Sequence, residues 1–187
     1  MMKKLVQAAI LIAGGLALGG CPFPQQAKTT APANKPPAAD YQAAVTAAAP
    51  PAAGIRGICY NDADLATYRA RMVQQEMVVA TLQCQNPGGS RAYESQYGAF
   101  LAKFQSELAT NARGMQQLGG RKRFNVDVVV TEFANRTAQR APVDKEFCGR
   151  NKRAFDWALS AQVTSIAQVP PPYDLGPEMN VHPCPAQ

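Results

Sequence analysis

The sequence predicts an all-α protein: a four-helix antiparallel bundle stapled by disulfides, with a disordered N-terminal tether and an extended C-terminal tail. Three observations predict it. Four segments between residues 55 and 169 carry apolar side chains at helical spacing. Glycine- and proline-rich breakers separate those segments. Proline and alanine crowd the stretches on either side, where large apolar residues are scarce. A length of 187 residues suits one domain. One histidine and no clustered ligands argue against most metal or histidine-dependent chemistry, and the length argues against a multidomain enzyme, a repeat array or a polytopic membrane protein.

The first helix is expected to open at Asn61 or Asp62, with Asp62 and Asp64 favoured near the positive end of the helix dipole. Leu65, Tyr68, Met72, Val79 and Leu82 form its apolar stripe, and Asn86-Pro87-Gly88-Gly89 should stop it near Cys84. Ser90 can cap the second helix. Its face is Tyr93, Tyr97, Phe100, Leu101, Phe104, Leu108 and Met115, and Gly119-Gly120 should end it. The third segment reads two ways. Phe124, Val126, Val128 and Val130 alternate like a strand, whereas Val126, Val130, Phe133 and Thr137 fit a helix. A lone strand would lack a partner, so a helix is expected. The fourth helix should begin near Pro142 or Asp144, carry Phe147, Asn151, Phe155, Leu159, Val163 and Ile166, and end at Pro170-Pro171-Pro172. With short loops, consecutive helices become antiparallel neighbours.

The N-terminus reads as an address. Lys3 and Lys4 precede an apolar run from Leu5 to Leu18, which is too short to span a membrane at about 20 residues. The run closes on Leu18-Gly19-Gly20-Cys21, which resembles the lipobox of bacterial lipoprotein precursors. That resemblance implies a signal peptide over 1–20, lipidation of Cys21 and a membrane-anchored protein facing the periplasm or cell envelope. Residues 21–54 then form an Ala/Pro-rich tether, 55–169 the helical domain, and 170–187 a Pro-rich tail. Five cysteines fit this plan: lipidation removes Cys21 and leaves Cys59, Cys84, Cys148 and Cys184 to pair in an oxidising compartment. An up-down-up-down bundle puts Cys84 and the first turns of the fourth helix at one end, and Cys59 and the returning tail at the other. The expected bridges are Cys84–Cys148 and Cys59–Cys184.

From Leu65 to Phe155, through Val73–Ala80, Cys84, Tyr97, Phe100, Phe104 and Phe133, the body loosely resembles uncharacterised small exported helical proteins of alphaproteobacteria. The resemblance lies in the helical pattern, supports a helical third segment and implies no activity.

No catalytic set, nucleotide fingerprint or zinc spacing is present, so no catalytic residue, metal or cofactor is expected. Glu76 is the acid to watch. Set near the apolar side of the first helix among Met72, Met77, Val79 and Ala80, its carboxyl could be desolvated and its pKa raised, as in a glycan-cleaving acid, but no second acid is identifiable. The expected role is that of a flank carboxylate paired with Arg or hydrogen-bonded to a neighbouring helix. Met179, His182 and Cys184 offer soft donors for Cu(I), but pairing of Cys184 would remove the set. The chain carries +6 at neutral pH, and loss of Lys3 and Lys4 lowers this to +4. Arg121, Lys122 and Arg123, with Arg150, Lys152 and Arg153, are candidate contacts for an anionic envelope polymer or headgroups, and nucleic acid is not an expected partner outside the cytoplasm. The expected function is that of a lipid-anchored, non-catalytic module that binds or scaffolds another envelope component. The alternative is a small envelope hydrolase acting on glycan or peptide, with Glu76 as its acid.

Overall fold

Asn61 starts the first helix. In the computed structural model, which describes residues 37–43 and 58–184, its side chain accepts the Asp64 N–H at 2.8 Å, and α1 runs Asp62–Gln83. The helix closes where the Cys84 N–H reaches Ala80 O. The chain then turns through Asn86–Ser90, with Gly89 at φ 80°, a conformation that favours glycine. Ser90 does not cap the next helix: its hydroxyl accepts from the Asn86 amide inside this turn, and α2 starts later, spanning Glu94–Lys122.

α2 also runs through Gly119-Gly120 instead of stopping there, and ends at Arg123 in the left-handed region. Gly119 serves a different purpose. A Cβ there would lie 2.7 Å from Val126 Cγ2 and 3.0 Å from Phe124 O, so the glycine permits the tight turn into α3. α3 is Val126–Arg140, capped by Asn125, whose side chain accepts from the Asp127 and Val128 N–H groups. Val129, Phe133 and Thr137 face the core at four-residue intervals, which settles the ambiguous segment as helix.

α4 is Phe147–Leu159 and ends at Ser160, well short of the prolines expected to stop it. Two side chains of α2 explain the early end. Lys103 Nζ donates to Ala158 O and Ser160 O, both at 2.8 Å, satisfying terminal carbonyls. Glu107 accepts the Ser165 hydroxyl and the Ile166 N–H, and a Ser165–Gln168 capping box begins a separate 3-10 turn, Ile166–Gln168.

Cross-contacts fix the directions. Asn111 bonds Thr67 O and Arg121 pairs with Asp64, so α2 reverses α1. Tyr68 meets Phe133 edge-on at 4.9 Å, placing α3 beside α1. Tyr93 bonds Cys148 O while Lys103 reaches Ala158 O, so α4 runs with α2. The core between them holds Met72, Met77, Phe100, Phe104, Met115, Phe133, Phe147 and Phe155, all essentially without exposure. Both expected bridges form: Cys84–Cys148 with Cα atoms 5.7 Å apart, and Cys59–Cys184 at 4.6 Å.

Two flanking stretches depart from expectation. The tail is pinned by its disulfide, but it is not a peripheral extension. It descends along α1, with Tyr173 N–H at Glu76, Leu175 N–H at Met72 Sδ and Met179 Sδ accepting the Tyr68 hydroxyl. It buries Tyr173, Leu175, Met179 and Val181, then pairs β2 (Val181–Pro183) in parallel with β1 (Ile58–Tyr60). Proline content marked the backbone as non-helical but said nothing of burial. Residues 37–43, placed within the tether by composition, also lie on the body: Tyr41 is fully buried and bonds Pro170 O. The lipidation residue Cys21, the signal peptide and the remainder of the tether lie outside the described residues.

Candidate functional site

The densest polar constellation lies where the tail crosses α1, beneath residues 37–43. Glu76 is drawn into it because α1 needs Met72, Val73, Met77 and Ala80 in the core, and position 76 falls on the same face. Its carboxyl has no exposed surface. Oε2 accepts the Tyr173 N–H at 3.3 Å, and Oε1 has no partner among the described residues. Burial pushes the acid well above its ordinary range; the Tyr173 N–H and the Arg140 charge pull back only in part, and Asp174 pushes the same way as burial.

Tyr173 is the hub. Its hydroxyl donates to Asp144 Oδ2 at 2.6 Å, and its ring stacks on Phe147 at 5.9 Å. The guanidinium groups of Arg140 and Arg150 lie 5.0 and 5.6 Å from the ring centroid. Arg140 also pairs with Glu178, and Arg150 Nε stands 3.6 Å from Asp144. The Tyr173 hydrogen bond, chiefly, holds the Asp144 carboxyl below its ordinary value, helped by the Glu146 N–H and Arg150. Burial, then the Asp144 bond, raises the Tyr173 phenol.

A groove of about 530 Å³ runs beside this network, lined by Leu65, Ala66, Arg69, Ala70, Val169 and Pro170 among others. Asp62 and Asp174 reach its rim, and Arg69 bridges to Asp174 at 3.4 Å. Glu76 does not line it. Asp144 and Asp174 share Glu76's neighbourhood through Tyr173 and the tail, yet all three are bound up in packing and pairing within the fold.

The basic candidates do not converge. Arg121, Lys122 and Arg123 stand at the end of α2 beside Cys59 and Asp64, whereas Arg150, Lys152 and Arg153 stand on α4 beyond Cys148. Arg121 and Lys122 both pair with Asp64, and Lys122 donates to Cys59 O. Lys152 pairs with Asp156, and Arg150 is committed to Asp144 and Tyr41 O. Arg123 and Arg153 remain exposed at opposite ends. The soft-donor trio is dispersed as well: Cys184 is in a disulfide, Met179 accepts from Tyr68, and His182 Nε2 is 2.7 Å from Asn180. Among the described residues, no group of three His, Cys, Asp or Glu is placed to hold a metal ion.

Tyr41, Arg140, Asp144 and Tyr173 escaped sequence reasoning. One signal was available for Tyr41, the single aromatic between residues 24 and 59. Arg140 is the last residue of α3, and Asp144 and Tyr173 sit in a turn and in the tail, where no periodicity marks an inward face. The two disulfides suit an oxidising, extracytoplasmic compartment, and among the described residues no helix is long and apolar enough to cross a membrane. Comparison with protein-family models, with curated proteins and with solved structures finds no match.

Proposed function

We propose that the chain is a lipid-anchored cell-envelope module that binds or scaffolds another envelope component without catalysis of its own. The observation that carries this reading is the fate of the cysteines. Four of five close two disulfides within the folded body, which leaves Cys21, behind a short apolar leader, as the acyl acceptor. The non-catalytic half draws support from Glu76, whose carboxyl is fully buried, with Oε2 accepting the Tyr173 N–H and the tail closing over it.

Photo-crosslinking in intact envelopes, comparing wild type with Cys21→Ala, tests the scaffold reading. A discrete adduct with an envelope component that depends on Cys21 is expected; the same adduct from an unanchored, soluble protein would remove the anchor from the account. Incubation of purified protein with peptidoglycan tests the other half. Digestion that is lost in Glu76→Gln would overturn the non-catalytic reading in favour of the hydrolase.

A further inference from the structure

Residues 37–43 touch the body in the manner of a bound peptide. One side chain does the anchoring: Tyr41 is fully buried, while Asp40 and Gln42 on either side are exposed. Three hydrogen bonds complete the contact. The Tyr41 hydroxyl donates to Pro170 O at 2.8 Å, Arg150 Nη1 donates to Tyr41 O at 2.8 Å, and the Ala43 N–H donates to Pro172 O at 2.8 Å. Two of the three involve the strap's main chain, so the site reads an extended backbone plus one aromatic anchor.

The groups that receive the strap are held by contacts that do not involve it. Arg150 is oriented by Asp144 and by the Tyr173 ring. Pro170 and Pro172 belong to a tail fixed below by the Tyr173–Glu76 and Tyr173–Asp144 bonds and by the Cys59–Cys184 bridge. A receptor organised in this way needs little rearrangement when its occupant leaves. On the other side, Ala43 is joined to Ile58 by fourteen residues, a length that reaches up to about 45–50 Å. Covalent connection therefore does not force the strap to remain seated.

We propose that this site is a receptor for an extended, tyrosine-anchored protein segment, filled in cis by residues 37–43, and that a partner segment with the same features binds by displacing the strap. The inference deepens the scaffold reading and rests on it for its biological setting, but the receptor is defined by its own contacts.

The test uses the full chain carrying Tyr41→Ala as receptor and a blocked peptide of residues 37–43 as probe, followed by fluorescence polarisation. Binding to the variant is expected, and binding to wild type should be at least tenfold weaker because the native strap competes at millimolar effective concentration. The Tyr→Phe peptide, which lacks the bond to Pro170 O, should bind roughly fivefold to tenfold more weakly, and the Tyr→Ala peptide should not bind. No binding to the variant at millimolar peptide, or equal binding of the Tyr and Ala peptides, would overturn the proposal. So would a Tyr41→Ala chain that loses cooperative unfolding, because the strap would then be an integral part of the core. Failure here leaves the scaffold reading standing through another surface, whereas loss of the envelope adduct leaves the receptor standing.

Discussion

Replacing Glu76 with Gln should remove an inverted pH dependence from the stability of the domain. The carboxyl is buried with one 3.3 Å hydrogen bond to Oε2 and, among the described residues, none to Oε1, so its folded-state pKa lies well above that of an exposed glutamate. Between those two pKa values the folded chain holds a proton that the unfolded chain has released. Stability therefore falls as pH rises through that window, by up to about 1.4 kcal/mol per pH unit, and levels off once the folded-state carboxyl ionises. Asp144 acts in the opposite sense. Its pKa is lowered, so its contribution is present above the unfolded value near 3.8 and is lost as pH falls toward its folded value. The two windows do not overlap. The Gln side chain keeps an acceptor for the Tyr173 N–H and carries no ionisable proton. Urea unfolding with disulfides intact, measured from pH 4 to 8, should show wild type and Glu76→Gln converging near pH 4, within about 1 kcal/mol. They should separate above pH 5 in favour of the variant. Parallel curves, or a variant less stable than wild type at pH 7, would mean that Glu76 is ionised and paired in the folded protein, and the reasoning would fail.

Three further outcomes follow from the same packing. Gly119→Ala should destabilise by about 1–3 kcal/mol because its Cβ collides with Val126 and Phe124, a loss read as a lowered urea midpoint. Gly120→Ala, one residue along the same helix and facing open space, should instead gain about 0.5–1 kcal/mol; the same sign at both positions would refute the assigned close approach. Removing either bridge as a Cys→Ser pair should cost about 4–5 kcal/mol in the chain-entropy model, given separations of 64 and 125 residues, and an unchanged unfolding midpoint would show that the loops are constrained by other means.

The bundle was legible because its signals are local. Asn61 as cap, the Asn86–Gly89 turn and the Phe100–Phe104–Leu108 stripe each act over a few residues, and the direction of successive helices then follows from short connections. That chain of steps was enough to choose one disulfide pairing from three. What was lost depends on residues far apart in sequence. α4 stops at Ser160 because Lys103 and Glu107, more than fifty residues earlier, take its last carbonyls and the next free N–H group. The tail enters the core because Tyr173, Leu175 and Met179 pack along α1, with Tyr173 also stacked on Phe147 of α4, which a count of prolines cannot reveal. Glu76 was legible as an acid beside the apolar face of α1, but its full burial was not, because the groups around it come from the tail and from α3 and could not be assembled from α1 alone.

The central claim, an envelope module held by a lipid on Cys21, is tested most directly by intact mass measurement of the mature chain recovered from the detergent phase. A lipid-anchored module should yield a protein that begins at Cys21 and carries acyl mass at that residue, since stable anchoring takes more than one chain. A mature chain with an unmodified N-terminus at any other residue, recovered from the aqueous phase, would contradict it.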